Sequence, residues 1–136
     1  MATSAREYIS RFWKFGIVGL SGVFVNQGLL MLLVGLFDFP TWLAGAIAIE
    51  ISILTNWAIN DIWTWRDKRT SPIFIRIIKY NFAAALTAFC VNYPLLLILS
   101  GPVGMNYAIA NVIGIVLAAA LNFLINHNWT YRAREA

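Results

Sequence analysis

Several residues in this chain stand where an apolar segment would not choose them. Glu50 lies eight residues past Trp42 in a run with no other charge, about 12 Å along a helix axis. If that run crosses a bilayer, the carboxylate sits near its middle, at a cost of at least ~2.5–3.5 kcal/mol. Two roles would justify it. One is a proton-linked or substrate-contacting group facing the interior of a helical bundle. The other is a protonated carboxyl that hydrogen-bonds neighbouring helices together.

Asparagines recur in the same segments: Asn26, Asn56, Asn60, Asn92, Asn111, Asn122 and Asn126. Asn56 and Asn60 are four apart and share a helix face, and Asn122 and Asn126 repeat the pair. They read either as interhelical glue, averaging only ~0.6 kcal/mol per bond in some membrane proteins, or as a polar path for sugar hydroxyls or a phosphate. Arg11 and Lys14, and again Arg76 and Lys79, form i,i+3 cation pairs. Arg66 closes Trp63-Thr64-Trp65, and Arg132 closes Trp129-Thr130-Tyr131. Trp and Tyr favour the headgroup level, so these ends predict interfacial belts that anchor the chain, with His127 an interfacial polar residue. Alternatively the six cations form a collar that collects a lipid phosphate, a task to which Arg brings bidentate bonds. No glycine-rich phosphate loop, Ser/His/Asp grouping or metal-spaced acidic pair is present, so no enzymatic chemistry and no cofactor are expected. Cys90 and His127 are single residues of their types, too few for a zinc site or an intrachain disulfide.

The elements that carry these residues are membrane spans. Of the 136 residues, 60% are hydrophobic and 12% charged, and mean hydropathy is +0.72. Soluble domains carry about 25% charged residues, and disorder needs low hydrophobicity. A buried helix bundle in water is excluded too, because no polar outer faces exist to cover it. Four apolar runs, Phe15–Leu36, Trp42–Ile59 (extending to about Ile62), Tyr80–Leu99 and Tyr107–Ile125, match the roughly 20 residues a spanning helix needs. The first is longer than a signal-peptide core and carries Asn26 and Gln27, so it reads as a retained span. Short Pro/Gly-bearing turns, Asp38–Thr41 and Ser100–Asn106, make two helical hairpins. Pro94 removes a donor inside the third run and predicts a kink. Gly16, Gly19 and Gly22, with Asn26, predict one face of close helix approach on the first span.

The charges give the sidedness. All 10 Lys and Arg residues lie in the N-terminal segment, the central connector or the C-terminal tail; the two hairpin turns have none. Positive loops remain cytoplasmic, so both termini and the central loop are expected inside a cell inner membrane. The net charge of +4 therefore points to membrane lipid, not nucleic acid.

The chain also repeats itself. Asn56-Trp57-Ala58-Ile59-Asn60-Asp61-Ile62-Trp63-Thr64-Trp65-Arg66 returns 66 positions later as Asn122-Phe123-Leu124-Ile125-Asn126-His127-Asn128-Trp129-Thr130-Tyr131-Arg132, with 6 of 11 positions identical. The starts match as well, Arg11–Phe15 with Arg76–Tyr80, and one inserted residue then brings Asn26 onto Asn92. Glu50 has Val116 as its counterpart. An even number of spans per half, 11–66 and 76–132, predicts parallel two-helix repeats with a polar site between them. The expected fold is an all-α, four-span membrane protein forming a single domain over 1–136.

The pattern Arg11-Phe12-Trp13-Lys14-Phe15-Gly16-Ile17-Val18-Gly19, then Asn26, Ala48-Ile49-Glu50, and Asn56 through Arg66, resembles the GtrA-like family, which also supplies the transmembrane domain of some dolichol-phosphate mannose synthases. The resemblance covers roughly residues 10–132. It departs at Asp61 and His127, where a basic residue is more usual after the second Asn. It implies a flippase for polyprenyl-phosphate-linked monosaccharides that feed cell-surface polysaccharide. A membrane-associated glycosyltransferase would be its partner.

Two other functions compete with that one. A four-span proton-coupled multidrug antiporter shares the size and the single membrane carboxylate, but those proteins carry their glutamate in the first span. A cationic cargo would also gain nothing from a positive entrance. The third is a non-transporting anchor that recruits a glycosyltransferase to the membrane; the basic pairs at both repeat starts favour the flippase. Four helices make a thin wall around a prenyl lipid, so a homo-oligomer is expected.

Overall fold

The computed structural model describes residues 3–132. Among them are four stretches long and apolar enough to cross a membrane, Ala5–Gly35, Thr41–Thr64, Ile73–Ser100 and Ala108–Thr130, and no strand. The chain is an all-helical, multi-pass membrane protein. It divides into two units, Met1–Arg69 and Thr70–Ala136, each a helical hairpin.

In the first unit, α1 (Ala5–Gly35) packs against α2 (Thr41–Ile59). The α1 helix starts ten residues before the expected span, because Ser4 and Glu7 form a capping box: each side chain hydrogen-bonds the other's backbone N–H at 3.3 Å. Its buried stripe is Arg11, Phe15, Val18 and Gly22, an i, i+4, i+7, i+11 pattern that follows the helical period. Gly16 and Gly19 lie off that stripe, with nothing within 4 Å of where a Cβ would stand. The three-residue glycine spacing therefore does not make a packing face, and only Gly22 meets α2, at Asn56. Ala44, Ala48 and Ser52 line the facing side of α2. Asp38 closes the turn with φ 54°, a left-handed conformation that Asp tolerates.

In the second unit, α3 (Ile73–Thr87) runs through a π-helical turn, Ala88–Asn92, into α4 (Tyr93–Ser100), and α5 (Tyr107–Ile125) returns beside them. The π turn is how the chain absorbs Pro94. The Tyr93 N–H reaches back five residues to Ala88, and Pro94 falls at the start of α4, where a missing donor costs nothing. Asn92 here packs onto Gly114. Gly104 turns the hairpin at φ 72°. Outside the packed stripes, Phe24, Trp42, Phe74, Phe89 and many other large apolar side chains are exposed, as lipid-facing surfaces must be.

Candidate functional site

The basic ends are built on a second device that recurs. The α2 helix ends in a π turn, Asn60–Thr64, and α5 ends in another, Asn126–Thr130. Thr64 Oγ1 donates to Asn60 Oδ1 at 2.7 Å, and Thr130 Oγ1 to Asn126 Oδ1 at 2.8 Å. The next residue's N–H closes the turn onto the Asn carbonyl, Trp65 to Asn60 and Tyr131 to Asn126, both at 2.9 Å. The wide turn rotates those aromatic rings inward. Trp65 and Tyr131 are 0% exposed, and Trp65 meets Phe15 edge-on at 5.8 Å. Neither is a headgroup-level anchor; Trp63 and Trp129 are the exposed members of their motifs.

The second asparagine of each pair thus fastens its own helix end, accepting from the Thr four residues on. Asn60 and Asn126 are fully buried, and Asn126 Nδ2 donates to Asn122 Oδ1 at 2.8 Å. Asn56 and Asn92 have covered amide oxygens with no hydrogen-bond partner. Asn26 and Asn111 are half-buried. His127 is buried and stacks on Phe123 at 5.6 Å. Its counterpart Asp61 is buried with Arg69 at 3.9 Å. Glu50 is exposed on the side of α2 away from α1. Within its own hairpin it is not the inward-facing group expected.

The cation pairs take matching local positions. In the first unit Arg11, 8% exposed, donates to the Thr64 carbonyl at 3.2 Å and to Asp67 Oδ2 at 2.7 Å. Lys14 lies over the Trp63 ring, 5.5 Å from its centroid. In the second, Arg76, 7% exposed, donates to the Ser71 carbonyl. Lys79 lies over Trp129 at 5.1 Å and donates to its carbonyl at 3.4 Å. Arg11 and Lys79 thus satisfy orphan carbonyls at helix C-termini, where the macrodipole favours positive charge. Arg66 and Arg132 are exposed, and the Arg132 carbonyl accepts from Thr70 Oγ1 at 3.4 Å.

The first unit's basic end forms an open cavity of about 610 Å³, within the range of small-molecule sites. Its cations are Arg6, Arg11, Lys14 and Arg66; Glu7, Asp67 and Trp63 also line it. The Arg11 hydrogen bond holds the Asp67 carboxyl below its ordinary range, so Asp67 is an ionised acceptor. Burial pushes the Lys68 ammonium down, with Arg11 adding to the effect. No cluster of three or more metal-ligating side chains occurs among the described residues.

An all-helical, four-span membrane protein with basic, tryptophan-bearing helix ends is the class this architecture defines. The family model of the GtrA/DPMS transmembrane domain matches it over residues 14–89 and again over 82–136, and the chain belongs to that family. It is 45% identical over 126 residues to a dolichol-phosphate mannosyltransferase of Pyrococcus furiosus. The match takes in 90% of this chain and 34% of that protein, so the chain spans about a third of its relative's length.

Proposed function

We propose that this chain carries a polyprenyl-phosphate-linked monosaccharide across a cell membrane, from the leaflet where a partner glycosyltransferase makes it to the opposite one. The chain itself performs no bond chemistry. The observation that carries this reading is the first unit's cavity, where four cations face one space beside an exposed tryptophan at a helix end. A phosphate on a membrane lipid meets that chemistry, whereas a cationic drug is repelled by it. In the second unit Arg76, Lys79 and Arg132 give that hairpin a basic end of its own. Both hairpins insert with their basic ends on the cytoplasmic side, following the positive-inside rule, and copies associate to enclose the prenyl tail. Asn26, Asn56, Asn92, Asn122 and Glu50 supply the polar groups that the head group meets in transit.

The test is transfer of a prenyl-phosphate hexose between leaflets of proteoliposomes, read by protection from a membrane-impermeant periodate. Accelerated exposure relative to empty liposomes is expected, and a rate equal to theirs rejects transport. One observation favours a second reading. The Pyrococcus furiosus relative is about three times as long as the matched region, so such a domain can be joined to further protein and serve as its membrane anchor. That reading predicts co-purification with a glycosyltransferase and no transfer.

A further inference from the structure

The cavity in the first unit selects by charge as well as by size. Arg6, Arg11, Lys14 and Arg66 line it against Glu7 and Asp67, and the Lys68 ammonium stands beside them, donating to Thr3 Oγ1 at 3.0 Å. The six lining groups are not equivalent. Arg11 and Asp67 are already paired at 2.7 Å, and Arg11 also donates to the Thr64 carbonyl at 3.2 Å. That pair is neutral as a unit and forms part of the wall. Glu7 accepts from the Ser4 N–H but keeps its charge. No carboxylate lies within ion-pair distance of Arg6, Lys14 or Arg66 among the described residues. Lys14 is set over the Trp63 ring, and Arg6 and Arg66 are exposed. Three cations and one carboxylate are thus left uncommitted around one opening, a surplus of two positive charges.

A phosphodiester, with a single negative charge, cannot match that surplus. A terminal phosphate monoester can: it carries about −1.5 to −2 at neutral pH and offers three strong acceptor oxygens. In a cavity open to solvent, two positive charges at about 6 Å hold each further negative charge about tenfold more tightly. The cavity of about 610 Å³ has room for either ester, so charge does the sorting.

Under the proposed function both esters occur on one lipid. The partner glycosyltransferase joins a sugar to a prenyl phosphate. A phosphate oxygen attacks the anomeric carbon of a nucleoside-diphosphate sugar, and the bond from that carbon to the nucleoside diphosphate breaks. The monoester becomes a diester with one charge fewer.

Resting on that reading for the identity of the lipid, we infer that the first unit's cavity is a seat for the bare carrier, a lipid ending in a phosphate monoester, and that glycosylation of the phosphate loosens it. Arg6, Lys14 and Arg66 bind the dianion, while Arg11 and Asp67 hold the wall. The seat stands before the glycosyl transfer in the sequence of reactions. It keeps the acceptor lipid where the partner works and lets go of the product, which is then free to cross. Phosphatidic acid offers the same head-group chemistry on another tail, so the cavity holds it too.

The experiment measures binding, so its outcome is separate from transport. The full chain in phosphatidylcholine nanodiscs is titrated with a C55 prenyl phosphate, with the same lipid bearing a hexose, and with phosphatidic acid, following tryptophan fluorescence. At pH 7.5 the prenyl phosphate should bind about tenfold more tightly than its hexosyl diester. At pH 5, below the monoester's second pKa of about 6, that advantage should shrink to about twofold while the diester's affinity holds steady; a titration within the protein would move both lipids. Arg6→Gln combined with Arg66→Gln removes the surplus and should bring the two esters to equal affinity. Glu7→Gln, which keeps the capping box, adds one to the surplus and should widen the preference about threefold. Circular dichroism checks that the variants are folded. Phosphatidic acid should bind within about threefold of the prenyl phosphate, and inorganic phosphate, with no tail in the bilayer, should compete only at far higher concentration. The inference is overturned if the two esters bind alike at pH 7.5, if both lose affinity together on acidification, if the charge variants leave the preference unmoved, if phosphatidic acid is not bound, or if inorganic phosphate competes as well as the lipids. A wild type that prefers the monoester but moves no hexosyl lipid between leaflets keeps the seat and loses the transport reading; one that moves it while binding both esters alike loses the seat alone.

Discussion

Gly114 on α5 is the position where a single methyl group should do most damage. A Cβ there would come within 3.0 Å of the Asn92 carbonyl oxygen and 3.4 Å of its Cα, besides pressing on its amide oxygen. The first two contacts are backbone, so no rotamer change relieves them. The π turn that places Asn92 must shift, or α5 must move away. Overpacking of this kind costs about 1–3 kcal/mol. Against it stands the gain of about 0.5–1 kcal/mol when Ala replaces Gly inside a helix. Gly114→Ala should therefore lose about 1–2 kcal/mol net. Gly22→Ala meets only the side chain of Asn56, at 2.7 Å from Cγ and closer to its amide group, and that amide can swing aside. Its net change should be about 0–1 kcal/mol of loss. Gly28 and Gly45 have nothing within 4 Å of a Cβ, so Ala at either should be neutral or stabilising by up to about 1 kcal/mol. Reversible SDS unfolding in mixed micelles, followed by circular dichroism, ranks the four variants on one scale. A Gly114→Ala protein as stable as Gly28→Ala would refute the close-approach argument.

Four further outcomes can be measured. Thr64→Val and Thr130→Val each remove the donor to a fully buried Asn oxygen and should cost about 1–3 kcal/mol in the same unfolding assay; no loss in either would mean the π turns do not depend on their fasteners. The carboxyl of Asp67 is held below its ordinary 3.8 by Arg11, so its contribution is complete above that value and is lost as pH falls through the lower folded value. The wild type should therefore lose more stability below about pH 4 than Asp67→Asn, and parallel acid titrations would count against the pair. Cysteines placed at Asp38 or Met105 in a Cys90→Ala background should label from outside intact cells, while one at Lys68 should not; external labelling at Lys68 reverses the orientation. Glu50→Ala should leave unfolding within about 0.5 kcal/mol of wild type, because the carboxyl faces away from α1, yet should abolish lipid transfer; normal transfer by the folded variant takes Glu50 out of the mechanism.

The spans were legible because they are uninterrupted apolar runs of the right length, and their burial in lipid leaves almost no polar residue to confuse the reading. Their ends were less so. The start of α1 at Ala5 rests on the Ser4/Glu7 capping box, a spacing that was visible but lies outside the apolar run. The π turns have a weaker signature, an Asn followed four residues later by a Thr. That spacing is a consequence of the turn, and ordinary helix periodicity does not call for it. Missing the turns misplaced Trp65 and Tyr131, which sequence chemistry sends to the headgroups and the wide turn sends to the core. The glycine triplet misled for a related reason, since a three-residue spacing drifts off a stripe of period 3.6. Of the candidate site, the cation pairs and their tryptophans were readable from type and spacing. The acids Glu7 and Asp67 were passed over because each is unremarkable until the fold brings it beside Arg11 and Lys14.

The length of α1 has a consequence for how a ligand would arrive. Its 31 residues measure about 46 Å, while the hydrocarbon layer is ~30 Å thick. The excess corresponds to roughly the first ten residues, from Ala5 to Lys14, which supply one wall of the cavity. The cavity then stands at the depth where lipid phosphates already reside. A tailed ligand would reach it by sliding sideways within its own leaflet, with the tail never leaving oil and the head group never leaving water. Encounter becomes a search in two dimensions, and abundance in the leaflet, rather than concentration in the surrounding solution, would set how often the site is filled.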